Sequence, residues 1–281
     1  MKRVVVLGAG TMGNGIAQVT AMFKYQVSML DISDDLLKKG MNSIQSSLSR
    51  MEKKGKLSAE EVKETIRRIT PTLDFNVVKE SEIVIEAVPE QFDLKKKIFK
   101  RLDELCPKET ILGTNTSSLP ITEIAMATKR PEMVLGIHFM NPVPVMRGVE
   151  VIKGYHTSEE TLNRAVDFLK SIDKVPGIAP DYPGFVNSRI LNVYLNEAVN
   201  CVLMGATPED VDNIMVHCCN MPIGPLRLLD MVGLDVHLSI LNFLTNELGD
   251  KYKPSPLTQQ MVRAGRLGMK SGKGFYDYQK S

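Results

Sequence analysis

The sequence has four cysteines, four histidines and little excess charge of either sign. It has no long apolar run, no internal repeat and no low-complexity tract. Cys218 and Cys219 are adjacent and the other two cysteines stand alone, so neither a metal-ligand spacing nor a disulfide framework is formed. No metal is expected, and free thiols fit a reducing cytoplasm. A net charge of +2 argues against a nucleic-acid partner and confines any basic site to a local patch. With no apolar stretch near the ~20 residues needed to cross a bilayer, no membrane-spanning helix is expected. Lys2-Arg3 followed by Val4-Val5-Val6-Leu7 mimics the start of a signal peptide, but Gly8 through Gly15 cuts the apolar region short. What remains is the composition of a globular protein, 43% apolar and 24% charged. A chain of 281 residues calls for two domains.

The most informative stretch lies at the N-terminus. Val4-Val5-Val6-Leu7 runs into Gly8-Ala9-Gly10-Thr11-Met12-Gly13, and a helical pattern of small residues follows. Gly8 permits the tight turn, Gly10 lets a pyrophosphate approach the backbone, and Gly13 lets the new helix pack on its own strand. Thr11, Met12 and Gly13 open that helix, whose free N–H groups and positive dipole end suit phosphates. A second strand, Tyr25 to Asp31, ends in an acid about 20 residues beyond the glycines, where a carboxylate takes the ribose hydroxyls of NAD. Asp31 would repel a 2′-phosphate, and no arginine follows in Ile32-Ser33-Asp34-Asp35, so NAD is expected over NADP. The alternative role for Asp31 is a helix N-terminal acid, which Ser33, Asp34 and Asp35 can fill without it.

A helical pair, at about 34–68, then interrupts the Rossmann-type pattern. Leu36, Leu37, Met41, Ile44, Leu48 and Met51 recur at helical spacing, and Ser58 with Glu61 has the spacing of a capping box. Lys38, Lys39, Lys53, Lys54 and Lys56 form either a solvated face or a landing site for a substrate's phosphates. The sheet resumes at Arg68–Leu73, Ile83–Val88, Thr110–Thr114 and Val134–Pro142, the last running into a polar end, and the apolar run Val151-Ile152 follows Glu150. Ligands of such sheets sit beyond the carboxyl ends of the strands, where Glu90, Ser117, His138 and Asn141 fall. Lys95 lies in the helix after Glu90.

His138 stands at a strand end, with Glu150 twelve residues on. A neutral imidazole can take an alcohol's proton while hydride leaves the same carbon, if a carboxylate steadies the far ring nitrogen. On spacing alone, a buried, hydrogen-bonded histidine with no chemistry is the better reading. His156, His217 and His237 read as surface or structural.

Pro180-Asp181-Tyr182-Pro183-Gly184 reads as a linker. Phe185 to Met204 is apolar nearly all round, as a buried helix would be, apart from a polar row of Ser188, Asn192, Asn196 and Asn200. Thr207-Pro208 and Pro225 start further helices. The expected architecture is α/β: a doubly wound parallel sheet in residues 1–183 with a helical-pair insertion, then an all-helical domain, 184–281, with a natural dimer surface.

Taken together, the motifs resemble those of the (3S)-3-hydroxyacyl-CoA dehydrogenases, of the short form similar to bacterial 3-hydroxybutyryl-CoA dehydrogenases. They are Gly8-Ala9-Gly10-Thr11-Met12-Gly13, Glu86-Ala87-Val88-Pro89-Glu90, Asn115-Thr116-Ser117-Ser118-Leu119 and His138-Phe139-Met140-Asn141-Pro142-Val143-Pro144-Val145-Met146. Asp181-Tyr182-Pro183-Gly184-Phe185, Gly224-Pro225, Leu228-Leu229-Asp230, Val232-Gly233-Leu234-Asp235 and Lys273-Gly274-Phe275-Tyr276 extend the match over essentially the whole chain. The resemblance implies hydride transfer between NAD and C3 of a short-chain 3-hydroxyacyl-CoA. His138 is then the base, Glu150 its partner, and Ser117 the hydrogen-bond donor to the reacting oxygen. It places Asp31, Glu90, Lys95, Ser117 and Asn141 along the dinucleotide, and Ser47 and Lys54 on coenzyme A. It also implies a homodimer or a larger homo-oligomer.

The family usually has asparagine directly before the arginine of Gly184-Phe185-Val186-Asn187-Ser188-Arg189, where this chain has Ser188. A one-residue shift turns a helical side chain by about 100°, so Asn187 and Ser188 cannot serve the same substrate atom. Ser188 is the expected replacement. Two other functions fit the same architecture. One is a dehydrogenase of a non-thioester 3-hydroxy acid, and the other is a non-catalytic, crystallin-like dinucleotide-binding protein.

Overall fold

The computed structural model describes residues 3–278 and divides after Tyr182 into two compact units. The first is built on an eight-stranded sheet of order β3-β2-β1-β4-β5-β6-β7-β8. Its strands are β1 (Arg3–Leu7), β2 (Gln26–Leu30), β3 (Ile69–Thr72), β4 (Ile83–Glu86), β5 (Ile111–Thr114), β6 (Val134–Phe139), β7 (Gly148–Lys153) and β8 (Val175–Pro180). β1, β4, β5 and β6 are buried along almost their whole length, as strands covered on both faces must be. The prolines sit at the rims: Pro71 in edge strand β3, and Pro176 and Pro180 in edge strand β8, where a missing N–H costs least.

The sheet is not parallel throughout. β7 runs antiparallel to β6, and β8 is parallel to β7. This reversal pairs His138 directly with Glu150 across the two strands.

Helix α1 (Thr11–Met22) leaves the glycine turn and packs on α2 (Asp34–Lys53) and α3 (Ala59–Arg67). Ser33 caps α2, its hydroxyl accepting from the Leu36 N–H, and Asp34 and Asp35 occupy the first turn. Leu37, Ile44 and Leu48 bury one face of α2, leaving Lys38, Lys39 and Lys53 exposed on it and Lys54 exposed at its C-cap. Ser58 and Glu61 make the capping box of α3. α4 (Phe92–Leu105), α5 (Ile121–Ala125) and α6 (Glu159–Ser171) complete the unit.

The expected linker is not slack at its start. Pro180 ends β8, and the Asp181 carboxylate accepts from the Ile121 N–H at 3.0 Å and the Thr122 N–H at 2.7 Å, capping α5.

The second unit, from Pro183 onward, is helical: α7 (Asn187–Leu203), α8 (Pro208–Cys218), α9 (Pro225–Val232), α10 (Leu234–Leu248) and α11 (Pro256–Arg263). α7 departs from the expected all-round burial. Leu195, Ala198 and Val199 face the core, while Ile190 is 67% exposed and Leu203 is also open to solvent. Two members of its polar row bond to neighbouring segments. Asn196 accepts from the Ser255 N–H at 2.9 Å and donates to the Lys253 carbonyl at 3.1 Å. Asn192 donates to the Ser188 carbonyl, so its oxygen accepts from Nδ1 of His237 at 2.7 Å. The C-terminal segment is tied down by Asp230, which receives the N–H groups of Phe275 and Tyr276 and the Tyr278 hydroxyl. No single helix among the described residues is long and apolar enough to cross a membrane.

His237 is fully buried, and its Nε2 has no hydrogen-bond partner among the described residues. Desolvation pushes its pKa down from 6.5 to about 4, so the folded state holds it neutral. Between those values the unfolded chain binds more protons than the folded one. The contribution is therefore complete above pH 6.5 and is lost as pH falls towards 4, by ~3 kcal/mol in all. Thermal unfolding followed across that window should show a falling midpoint on acidification, with a shallower slope in His237→Gln.

Candidate active site

The glycine turn is shaped by close approaches. Gly8 has φ +101°, and a Cβ there would lie 2.6 Å from the Ala87 carbonyl oxygen. A Cβ on Gly13 would lie 1.8 Å from the Gly8 carbonyl oxygen, which is the tight helix-to-strand packing the spacing demanded. A Cβ on Gly10 would meet nothing within 4 Å, so this position faces open space rather than protein. Gly10 begins α1, and no side chain caps the helix. Thr11 is exposed, whereas Met12 packs its side chain against the core and offers only its backbone. A phosphate-bearing group fits this uncapped, open helix start.

Asp31 closes the other side of the turn. One carboxylate oxygen accepts from the Ala9 N–H at 2.6 Å and the other from the Ile32 N–H at 2.6 Å. The acid is thus fixed to the glycine loop, and the helix-cap role belongs to Ser33. Ile32 beside it is 92% exposed, a functional candidate that sequence reasoning missed. Its only signal was an apolar residue among acids and serine.

At the carboxyl ends of β4 and β5 the chain assembles a polar network. Glu90 accepts from the Ser117 N–H at 2.9 Å and from the Thr116 hydroxyl. Its other oxygen lies 3.2 Å from the Lys95 ammonium. Burial works to raise the Glu90 carboxyl, but the Lys95 charge and the donors Thr116 and Ser117 outweigh it and hold it below the usual range. Lys95 is itself 1% exposed, and its Nζ also donates to Glu86 at 2.6 Å.

His138 and Glu150 meet as a cross-strand pair, Nδ1 to Oε2 at 2.8 Å, with both side chains largely buried. Asn115 steadies the end of β6, its side-chain oxygen accepting from the Phe139 N–H at 2.9 Å. Asn141 lies in the loop between β6 and β7. The buried Lys174 ammonium clamps that loop, donating to the Val143 and Met146 carbonyls at 2.6 and 2.7 Å. Ser47 and Lys54 lie two turns apart on the inserted α2, Ser47 half-buried and Lys54 exposed at its end. Asn187 and Ser188 are the first two residues of α7. No group of histidine, cysteine and acidic side chains among the described residues could hold a metal ion.

Comparison with known proteins agrees along the whole chain. Residues 3–181 match the 3-hydroxyacyl-CoA dehydrogenase NAD binding domain, and residues 184–278 match the C-terminal domain of the same family. A probable 3-hydroxybutyryl-CoA dehydrogenase of Bacillus subtilis is 47% identical over 100% of this chain and 98% of its own. A 3-hydroxybutyryl-CoA dehydrogenase of Clostridioides difficile is 44% identical over 99% of this chain and 100% of its own. The crystal structure of an (S)-3-hydroxybutyryl-CoA dehydrogenase from Ralstonia eutropha superposes with a TM-score of 0.95 at 44% identity, covering both chains completely. The chain belongs to the 3-hydroxyacyl-CoA dehydrogenase family and is an NAD-dependent oxidoreductase.

Proposed function

We propose that the protein interconverts (3S)-3-hydroxybutyryl-CoA and acetoacetyl-CoA, with related short acyl chains as further substrates. The observation that carries this reading is the 2.8 Å contact of His138 with Glu150 in the dinucleotide-binding unit. NAD, when bound, supplies the nicotinamide carbon that takes the hydride from C3. His138 accepts the hydroxyl proton at Nε2 as the C3–H bond breaks and the carbonyl forms. In the reverse direction its imidazolium returns that proton to the oxygen. Glu150 holds the Nδ1 proton, which fixes the tautomer and offsets the positive charge of the imidazolium. Ser117 donates to the reacting oxygen, and Ser188 takes the place of the family's asparagine at the substrate carbonyl.

The cofactor is held by residues of distinct chemistry. The first-turn amides of Thr11, Met12 and Gly13 take the pyrophosphate, Asp31 the ribose hydroxyls, and Ile32 supports the adenine. Glu90, Ser117 and Asn141 lie along the nicotinamide half, with Lys95 acting through Glu90. Ser47 and Lys54 contact coenzyme A. The exposed Ile190, Leu203 and Met204, the last 75% exposed, favour a homodimer or larger homo-oligomer built on the helical unit. A cytoplasmic setting fits the four free cysteines.

The test compares acetoacetyl-CoA with unesterified acetoacetate, following NADH absorbance for the native protein and Lys54→Ala. The native protein should turn over the thioester with a clear preference. Lys54→Ala should raise KM for it about tenfold, the weight of one charge-assisted phosphate contact, and leave the free acid unaffected. Equal activity on both substrates, insensitive to Lys54, would reassign the protein to non-thioester 3-hydroxy acids.

A further inference from the structure

Glu86 is the last residue of β4 and is 0% exposed, an acid at the end of the apolar run Ile83-Val84-Ile85. An ionised carboxylate taken out of water at such a place must be compensated. One oxygen accepts from the Lys95 ammonium at 2.6 Å and the Val88 N–H at 2.8 Å, and the other from the Thr114 hydroxyl at 2.7 Å. Lys95 in turn touches Glu90, and Glu90 holds the Ser117 N–H. The Ser117 hydroxyl is 3.4 Å from the same Glu90 oxygen. Two buried charges, Glu86 and Lys95, and the more exposed Glu90 thus form one chain that ends on Ser117.

We infer that Glu86 is a positioning residue for Ser117: it anchors Lys95, Lys95 fixes the Glu90 carboxylate, and Glu90 aims the serine. This rests on the reading of Ser117 as donor to the reacting oxygen. The physical reason is charge balance. With Glu86 ionised, Lys95 is shared between two carboxylates, and Glu90 needs only one oxygen for it, leaving the other for Ser117. Without the charge on Glu86, the buried ammonium has Glu90 as its remaining anion. Glu90, with a side chain 38% exposed, has room to be drawn towards it and off the serine.

The experiment is a double-mutant cycle in kcat at saturating NADH and acetoacetyl-CoA, using Glu86→Gln, Ser117→Ala and both together. NADH affinity is measured on each variant to establish that the cofactor unit is folded. Glu86→Gln should lower kcat about tenfold, within the cost of a displaced catalytic group, and by less than about twofold when Ser117 is already alanine. A crystal structure of Glu86→Gln should show Glu90 moved away from the Ser117 N–H. If that variant does not fold, the charge-neutral Glu86→Gln/Lys95→Met replaces it. It breaks the same chain, and its effect should likewise vanish in the Ser117→Ala background. Multiplicative losses, or a Glu90–Ser117 contact unchanged in Glu86→Gln, overturn the inference. A native protein inactive on acetoacetyl-CoA would instead refute the proposed function.

Discussion

His138→Ala is expected to lower kcat for acetoacetyl-CoA reduction by about 10²–10⁴, the usual weight of acid–base catalysis, while NADH binds with near-native affinity. The separation of the two effects follows from the structure. The glycine turn, the α1 start and Asp31 are held by their own contacts, none of which involves the imidazole. The ring is anchored instead by Glu150 on the neighbouring strand. In the proposed mechanism its removal takes away the proton donor. Steady-state rates together with NADH fluorescence titration check both halves of the statement. A kcat within threefold of native would refute the assignment of His138.

Glu150→Gln should lower kcat by about 10²–10³, the second largest effect, because it removes a charge without removing volume. The carboxylate accepts the Nδ1 proton at 2.8 Å in a largely dry setting, where an unscreened countercharge counts for most. A carboxamide in its place can present its NH₂ to Nδ1, which favours the wrong tautomer. It also leaves the imidazolium without its anion. Steady-state rate measurements decide the matter, and a nearly native kcat would contradict the pairing.

The signals that were legible in the sequence are local. Gly8 and Gly13 announce a turn that no larger side chain can occupy, and both close approaches are there. Ser58 with Glu61, and Thr207 with Pro208, announce helix starts through side-chain chemistry that spans only a few residues, and both caps form. Asp31 ends a short strand at a spacing set by one β–α–β step, and it reaches the glycine loop.

What was not legible depends on contacts far apart in the chain. Nothing in the twelve residues from His138 to Glu150 states that β7 reverses direction, yet that reversal puts the two side chains opposite one another. β8 carries Pro176, Gly177 and Pro180, residues that weaken any strand signal, and its edge position accommodates them. The burial of Lys95 against Glu86 emerges only when the helix that carries it packs at the end of β4. Asp181 reads as a linker residue until α5 is brought to it. The apolar surface of α7 looks like core in sequence. The chain's own packing covers only part of it, since burial depends on what surrounds a helix as well as on its composition.

The central claim is that a proton moves through an imidazole on β6 while a hydride passes between NAD and C3 of a thioester substrate. The most direct measurement is NADH consumption by the purified protein on acetoacetyl-CoA, with the configuration of the product determined. The account predicts one NADH oxidised for each (3S)-3-hydroxybutyryl-CoA formed. A folded protein that binds NADH yet leaves it unoxidised, or that makes the opposite enantiomer, would contradict it.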